Sequence, residues 1–395
     1  MKKFTTMTGF AIATSMVLAA CAPAATPTAA PKPTEAPKPA ATAAPAPTTA
    51  PAPTAAPKPT DAPKPTEAPK PTEAPKKMKI GLVTDVGSLD DKSFNASAWA
   101  GVQRAVKEMG DKVEAKAIES KQPTEYQKNM ETFNKDGYDL VITVGFLMSD
   151  DTAAFANKNP NQKMAVVDVG YFDDKAPKNV MGLIFSEDQS GFLAGALAGL
   201  MTKSNVVGGV YGINIPPVCK FRVGYENGAK FTNKNVKTLG AYQEPGPKAF
   251  NDPEWGKKTA VSQINEKADV IFSAGGNTGN GGLLGIAEQA KAGKAVFGIG
   301  VDQDQWNTLD GAKPILLTSA MKRVDQATYL AVKAVVDGKF KGGNTLFDIN
   351  NDGVGIAPYH DTESKVSAEV KDKMTKLIAD MKAGTVKTGV PDPCK

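Results

Sequence analysis

Acidic side chains follow several short apolar runs of this sequence, at the points where the runs end. Asp85 and Asp168 each come directly after such a run, and Asp150 and Asp302 stand close behind two others. Carboxylates accept hydrogen bonds from hydroxyl and amino groups, which is the chemistry of a polar-ligand site. Each residue alone is typical of a helix cap or a turn, and it is their shared location that indicates a binding site.

The residue inventory argues against the common enzyme classes. His360 is the single histidine and no Gly-x-Ser-x-Gly occurs, so a Ser/His/Asp triad is not expected. The stretch Gly275–Gly282 lacks the Gly-Lys-Ser/Thr ending of a phosphate loop and fails the dinucleotide fingerprint. We interpret it as a loop that turns or comes close to a ligand. Adjacent pairs such as Asp90-Asp91 need not converge on one bond and are interpreted as surface or cap residues.

Strand-like apolar runs alternate with helical periodicity from Met78 onward, and the rhythm restarts near Val206. Apolar strands between helices predict parallel sheets that are covered on both faces. Two such runs, in a chain above the usual domain size, predict two similar lobes. Because ligands of these sheets bind outside the carboxyl ends of the strands, the acidic residues predict a cleft between the lobes.

The pattern sets the boundaries of the individual elements. The predicted strands are 79–84, 113–118, 140–144, 164–167, 180–185, 206–211, 236–240, 270–272 and 296–300. The predicted helices include 94–109, 124–135, 150–157, 223–231, 257–266 and 283–291. A further helix begins at Ser186, where Ser186–Gln189 has the sequence of a capping box.

Residues 1–20 have the organisation of a secretory signal peptide. Lys2 and Lys3 give a positive start, and the apolar segment Phe10–Ala20 is too short for an ordinary transmembrane helix. Leu18–Cys21 then resembles the bacterial lipobox, in which the cysteine becomes the lipid-modified first residue of the mature protein. We therefore expect acyl chains to hold the protein on the extracytoplasmic face of the cell membrane. Plain secretion with an incidental cysteine is the alternative.

The lipid-modified Cys21 is followed by a low-complexity segment that extends to residue 77. It consists almost wholly of Ala, Pro, Thr, Lys and Glu, and Pro-Thr-Glu-Ala-Pro-Lys recurs three times. Such a segment cannot bury apolar surface, so we expect it to be disordered. Its proline density favours extended polyproline II and thus a semi-rigid stalk. A proline motif that binds a partner is the alternative.

The net charge of +5 belongs to the N-terminal segment. Residues 1–77 carry nine lysines and four acidic residues, so the remainder is neutral and no nucleic-acid partner is expected. Cys219 and Cys394 are left in an oxidising setting, where a disulfide is permitted but not required by the sequence. A single histidine and the lack of Cys-x-x-Cys predict no metal site, and no cofactor is expected.

One twelve-residue segment carries the most specific resemblance to a known family. Thr84–Asn95 (TDVGSLDDKSFN) is similar to the opening signature of the basic membrane protein family. Members of this family are substrate-binding lipoproteins of ABC transporters, and they include purine nucleoside receptors. Further matches follow in order at Gly145–Asp150 (GFLMSD), Gln189–Gly195 (QSGFLAG), Gly300–Gln305 (GVDQDQ) and Thr318–Arg323 (TSAMKR). The resemblance covers residues 79–382.

The resemblance implies an α/β protein of the type I periplasmic-binding-protein fold. Two doubly wound parallel-sheet lobes are joined by a three-crossover hinge in that fold. We place the crossings near Phe185, Leu317 and Phe347. The expected N-terminal lobe is 78–185 with 318–347, and the expected C-terminal lobe is 186–317 with 348–395.

The resemblance also implies a nucleoside site. Phe94 and Phe221 would stack on the two faces of the base. Asp150 would accept hydrogen bonds from the base edge. The residues that would serve the ribose hydroxyls, or position those that do, are Asp85, Asn95, Asp302 and Lys322.

These expectations describe a lipid-anchored, monomeric receptor that performs no chemistry. It would capture a purine nucleoside between its lobes and deliver it to an ABC transporter permease, and the lipid would be its sole contact with the membrane. Two alternatives remain open. One is a receptor for another small polar ligand, such as a sugar, and the other is a stalked surface adhesin or sensor on the same fold.

Overall fold

The computed structural model describes residues 76–173, 176–246 and 248–394. The predicted signal peptide, the predicted lipidation site Cys21 and the predicted stalk up to residue 75 lie outside the described residues. Within the described ranges, no helix is long and apolar enough to cross a membrane.

The strands are short runs of apolar residues, and several of them are buried along their whole length because helices cover both faces of their sheets. They are β1 (Met78–Thr84), β2 (Val113–Ile118), β3 (Leu140–Val144), β4 (Lys163–Val167), β5 (Val180–Phe185), β6 (Val206–Tyr211), β7 (Lys237–Thr238), β8 (Ala241–Tyr242), β9 (Val270–Ala274), β10 (Phe297–Asp302), β11 (Leu316–Lys322), β12 (Gly343–Phe347) and β13 (Val354–Ile356).

These strands form two sheets. The first has the order β12-β5-β4-β3-β1-β2 and is parallel throughout. The second has the order β13-β11-β10-β9-β6-β7, with β8 also paired to β6. It is parallel except for β13, which runs antiparallel to β11. The two predicted lobes are therefore present, each built on its own sheet.

The helices connect successive strands and cover the sheets. They are α1 (Phe94–Met109), α2 (Tyr126–Lys135), α3 (Ser149–Lys158), α4 (Glu187–Met201), α5 (Pro216–Thr232), α6 (Pro253–Asn265), α7 (Gly276–Lys291), α8 (Val324–Val336) and α9 (Ala368–Lys382). The apolar side of α1 faces α8, and the Thr328 hydroxyl of α8 donates to the Ala98 carbonyl over 2.9 Å. This contact places α8 in the first lobe.

The chain crosses between the lobes three times, but the second crossing differs from our expectation. We placed it near Leu317, which assigned residues 318–322 to the first lobe. In the structure the whole of β11 pairs with β10 and β13 in the second sheet, so the crossing follows Lys322. An apolar strand carries no mark of which of two similar sheets it joins, and this explains the error. The first and third crossings follow Phe185 and Phe347.

Two helices, α5 and α7, begin seven residues earlier than predicted. The glycine-rich stretch is not a loop, because α7 starts at Gly276 and includes it. A Cβ atom at Gly281 or Gly256 would collide with the backbone of the neighbouring helix, so glycine is needed where α6 and α7 meet. Helix α5 begins at Pro216, since proline is well suited to the first helical turn.

Two smaller expectations are wrong. The strand predicted over 236–240 is reduced to the two-residue pairings β7 and β8 on one edge of the second sheet. Ser186 does precede α4, but its side chain makes no capping hydrogen bond. Its ψ of 66° differs from the extended conformation that a capping side chain needs.

Cys219 and Cys394 form a disulfide whose Cα atoms lie 5.8 Å apart. The bond attaches the C-terminal segment to the first turns of α5. Thr388 reinforces the attachment, because its hydroxyl donates to Asp188 over 2.6 Å and its carbonyl accepts from the Asn227 amide over 2.9 Å. The question that the sequence left open is thus answered, and α5 is fixed from outside.

Candidate functional site

A cavity lies where the carboxyl ends of the two sheets face each other, and its empty space of about 570 Å³ includes solvent at its open side. The lining residues come from both lobes. They are Asp85, Asp91, Phe94, Asn95, Gly145, Phe146, Asp168, Ile215, Pro217, Val218, Phe221, Phe250, Ala274, Gly275, Gly276, Val301, Asp302 and Lys322.

The structure brings together most of the residues that the sequence singled out. The first lobe contributes one group of them from β1 and α1, and the second lobe contributes another from α5, β10 and β11. Those that line the cavity are Asp85, Phe94, Asn95, Phe221, Asp302 and Lys322.

Asp150 is the exception. It lies in the first turn of α3, is exposed to solvent, and is not among the residues that line the cavity. A short 3-10 helix over Phe146–Met148 precedes α3 and brings Phe146 to the cavity instead. The expected contact between Asp150 and a base edge is therefore not supported by this arrangement.

Lys322 joins the two lobes at the centre of the site. Its ammonium lies 2.6 Å from the Asp168 carboxylate at the end of β4 and 3.1 Å from Glu187 at the start of α4. The side chain is 2% exposed. Burial alone would lower the pKa of Lys322, but attraction to the carboxylates, Asp168 first, outweighs it and leaves the pKa raised. Lys322 is therefore charged and already paired.

A second cross-lobe contact joins Ser93 and Asp302. The Ser93 hydroxyl, just before α1, donates to the Asp302 carboxylate at the end of β10 over 2.6 Å. Burial raises the pKa of Asp302 to about 6, against the opposing effects of Lys322 and of this hydrogen bond. Asp302 and Asp168 both have left-handed backbone conformations, with φ of 65° and 71°. Such strain in residues other than glycine is concentrated at functional sites.

Two carboxylates of the first lobe lie deep in the same cavity. Asp91 accepts backbone N–H bonds from Ser93, Asn95 and Ala96 at 2.9–3.1 Å, which satisfies the free amides at the start of α1. Asp85 receives one backbone bond, from Gly87 at 3.3 Å. Burial, together with the nearby carboxylates of Asp91 and Asp168, raises the pKa of Asp85 to about 7.

The apolar wall of the cavity is held by close helix packing. Phe221 projects from α5, and Gly191 of α4 lies against its backbone. A Cβ at Gly191 would come within 3.1 Å of the Phe221 carbonyl carbon, so a larger residue would displace the wall. The Lys322 ammonium lies 5.0 Å from the Phe94 ring centroid and 5.8 Å from the Phe221 ring centroid. Both rings thus border one small region.

Sequence reasoning missed several residues of the site. Asp168 follows an apolar strand and was noted for that position together with the other acidic residues, but it was given no role of its own. Asp91 was interpreted as a surface or cap residue; it does cap α1, and it also lines the cavity. Glu187 and Phe250 gave no signal, because each depends on the tertiary arrangement of the lobes.

The arrangement is suited to binding a ligand. Within the described residues, no group of three or more His, Cys, Asp or Glu side chains could hold a metal ion. Aromatic rings provide flat apolar surfaces, and buried carboxylates provide hydrogen-bond acceptors. The cavity therefore suits a small ligand with a planar apolar part and a hydroxyl-rich part.

Comparison with known sequences identifies relatives. Residues 77–387 match the Bmp family, described as ABC transporter substrate-binding protein PnrA-like. The chain is 30% identical over 325 residues to the ABC transporter nucleoside-binding protein BmpA of Lactococcus lactis, covering 78% of this chain and 88% of that protein. It is 31% identical over 334 residues to an uncharacterized lipoprotein of Pyrococcus abyssi, covering 80% of each chain.

Solved structures give the same result for the fold. A solute-binding protein of an ABC transporter system from Aeropyrum pernix superimposes with a TM-score of 0.70 at 26% identity, covering 78% of this chain and 92% of that one. Another from Conexibacter woesei gives a TM-score of 0.63 at 21% identity, covering 80% and 100%. These matches confirm the predicted type I periplasmic-binding-protein fold.

The raised pKa of Asp85 predicts a pH dependence of stability. Below about pH 4 the carboxyl is protonated in both the folded and unfolded states. Between pH 3.8 and about 7 the folded state keeps a proton that the unfolded state releases, so stability falls as the pH rises. Asp85→Asn imitates the protonated form. The free energy of unfolding of the variant, relative to that of the wild type, should therefore increase by roughly 1 kcal/mol per pH unit between pH 3.8 and about 7, and it should level off above pH 7.

Denaturant unfolding of the ligand-free protein at a series of pH values measures this difference. Asp150→Asn makes the same substitution at an exposed position and is the matched control. A constant difference for Asp85→Asn would show that Asp85 is ionised in the folded state throughout the range.

Proposed function

Because this chain belongs to the Bmp family of ABC transporter substrate-binding proteins, we propose that its cavity captures a purine nucleoside and that the protein delivers it, as a monomer, to an importer permease. The family binds solutes for transport, and the chain is accordingly not an enzyme, as the sequence indicated. The relative from Lactococcus lactis is named as nucleoside-binding, which supports this choice of ligand.

The observation that carries the proposal is the combination of two phenyl rings and several buried carboxylates in one cavity. Phe94 belongs to the first lobe and Phe221 to the second, so a base between them would be held by both. Stacking of a base on an aromatic side chain contributes roughly 1–3 kcal/mol. A planar base thus gives a physical reason for the lobes to close.

The polar groups suit a ribose. Asp85 and Asp302 are carboxylates that can accept hydrogen bonds from neighbouring hydroxyl groups. Asn95 is 3% exposed, lines the same cavity, and its Oδ1 atom has no hydrogen-bond partner among the described residues. A buried acceptor of this kind is costly unless a ligand donor satisfies it. We assign these three side chains to the ribose.

The charge of the site favours an uncharged ligand. Lys322 is the one cation among the lining residues of the described chain, and it is paired with Asp168 and Glu187. A phosphate group would meet Asp85 and Asp302 without a free cation to balance it. The proposed ligand is therefore the nucleoside and not its 5′-phosphate.

We also propose that the protein is anchored by lipid at Cys21 on the outer face of the cell membrane. Several relatives, from three Pyrococcus species, are named as lipoproteins. The lipobox-like sequence and the proline-rich segment behind it support the same location. Together they describe a receptor that is tethered near its permease.

Calorimetric titration of the detergent-solubilised protein, refolded to remove carried-over ligand, tests the ligand. We expect sub-micromolar binding of adenosine, guanosine or inosine, and far weaker binding of ribose, adenine and adenosine 5′-monophosphate. Ribose that binds as tightly as the nucleosides would favour the sugar-receptor alternative. No heat with any nucleoside would refute the proposed ligand.

Phe94→Ala tests the stacking contact. The loss of roughly 1–3 kcal/mol of stacking should weaken nucleoside affinity by about 5- to 150-fold. Phe172→Ala removes the same side chain at a position that is 82% exposed and outside the cavity, and should leave affinity unchanged. The family resemblance placed Asp150 at the base edge, but this residue does not line the cavity. Asp150→Ala should therefore behave like this control. Equal affinities for Phe94→Ala and Phe172→Ala would make Phe94 a structural residue.

Cys21→Ser tests the anchor. Without the thiol no lipid can be attached, so the variant should appear in the soluble extracytoplasmic fraction, while the wild type sediments with membranes. Cell fractionation with immunoblotting measures this. Membrane retention of the variant would contradict the lipobox interpretation.

A further inference from the structure

Side chains of the second lobe donate hydrogen bonds to a turn of the first lobe. These donor side chains do not line the ligand cavity. The turn is Asp91–Ser93, between β1 and α1. The Asn280 amide of α7 donates to the Asp91 carbonyl over 2.7 Å. The Gln305 amide and the Thr308 hydroxyl, both beyond β10, donate to the Lys92 carbonyl over 3.2 and 3.1 Å.

Hydrogen bonds within the second lobe hold the donor side chains in position, independently of the first lobe. Gln305 is 1% exposed, and its Oε1 atom accepts the Val301 backbone N–H over 2.9 Å. Its backbone N–H donates to the Ser319 hydroxyl over 3.1 Å, and its amide also donates to the Asn280 Oδ1 atom over 2.8 Å. These bonds belong to the second lobe alone and would persist when the lobes separate.

The acceptor turn is equally fixed on its own side. The Asp91 carboxylate accepts three backbone amides at the start of α1, which holds the turn against that helix. Lys92 has a left-handed φ of 54°, a conformation that is unfavourable for lysine. The turn is therefore a preformed pair of carbonyl groups. It directly precedes Phe94 and Asn95, which line the cavity.

We propose that Asn280, Gln305 and Thr308 form a latch that holds the lobes closed and sets the rate of ligand release. None of the three lines the cavity, so they act on the ligand through lobe closure and are positioning residues. The latch forms only when the two lobes meet. Loss of one bond should therefore destabilise the closed state and leave the open state unchanged. The proposed function enters only through the choice of adenosine as the probe.

Thr308 offers a matched pair of variants. Thr308→Val keeps the shape but removes the donor, whereas Thr308→Ser keeps the donor. A hydrogen bond of ordinary net strength predicts that Thr308→Val releases adenosine about 2- to 12-fold faster. Thr308→Ser should release it at the wild-type rate. Association should be nearly unchanged, since related complexes differ mainly in dissociation.

Stopped-flow fluorescence on the detergent-solubilised full chain measures both rates. Asn280→Ala provides a second test on the other carbonyl and should also accelerate release. Circular dichroism at the assay temperature identifies any variant that fails to fold. If neither Thr308→Val nor Asn280→Ala releases adenosine faster than the wild type, the latch is refuted.

A ligand-free measurement separates the latch from the choice of nucleoside. Spin labels on Lys128→Cys of α2 and Lys258→Cys of α6 report the separation of the lobes, because both side chains are exposed. Thr308→Val and Asn280→Ala should shift the distance distribution away from that of the wild type and of Thr308→Ser. If the wild type binds no adenosine but this shift occurs, the proposed ligand is wrong and the latch stands. Identical distributions in that case would refute the latch.

Discussion

The site depends on keeping the Lys322 ammonium charged where water does not reach it. Burying an ion costs several kcal/mol unless partners replace its hydration. Asp168 and Glu187 provide that replacement, and each has a defined place in the chain. Glu187 follows the first crossing between the lobes closely, and Lys322 directly precedes the second. The ion pairs therefore fasten the crossing segments to the end of β4 and set the position of the cavity wall.

The buried carboxylates at the ends of the two sheets also need partners that compensate the loss of water. Asp168 and Asp302 end corresponding strands of the two lobes, and both hold left-handed conformations that cost about 1–3 kcal/mol each. Lys322 and Ser93 hold them there. These conformations direct the carboxylates across the boundary between the lobes, where Lys322 and Ser93 of the opposite lobes meet them in the closed structure.

The hydrophobic pattern of the sequence predicted most of the strands and helices. Most of the features that it missed depend on how helices and lobes pack together. The bounds of α1 agree because apolar spacing and the strand before it define both ends. The Gly275–Gly282 stretch was misinterpreted because glycine signals a loop, while here it permits the close approach of α6 to α7. Six residues that line the cavity were singled out through a motif resemblance, which carries spatial information that periodicity lacks, and their roles toward a ligand stay predictions. Asp150 does not line the cavity, because the 3-10 turn before α3 brings Phe146 there instead.

The last two strands, β12 and β13, determine when each sheet can be completed during folding. β12 covers the outer edge of β5 in the first sheet, and β13 covers the outer edge of β11 in the second. A chain that is only partly available would leave both edges open to pairing with other chains. Folding must also wait for these distant contacts, and high contact order makes it slow. The eight residues of β12 and β13 take over these edge positions, so both sheets reach their full width only when nearly the whole sequence is present.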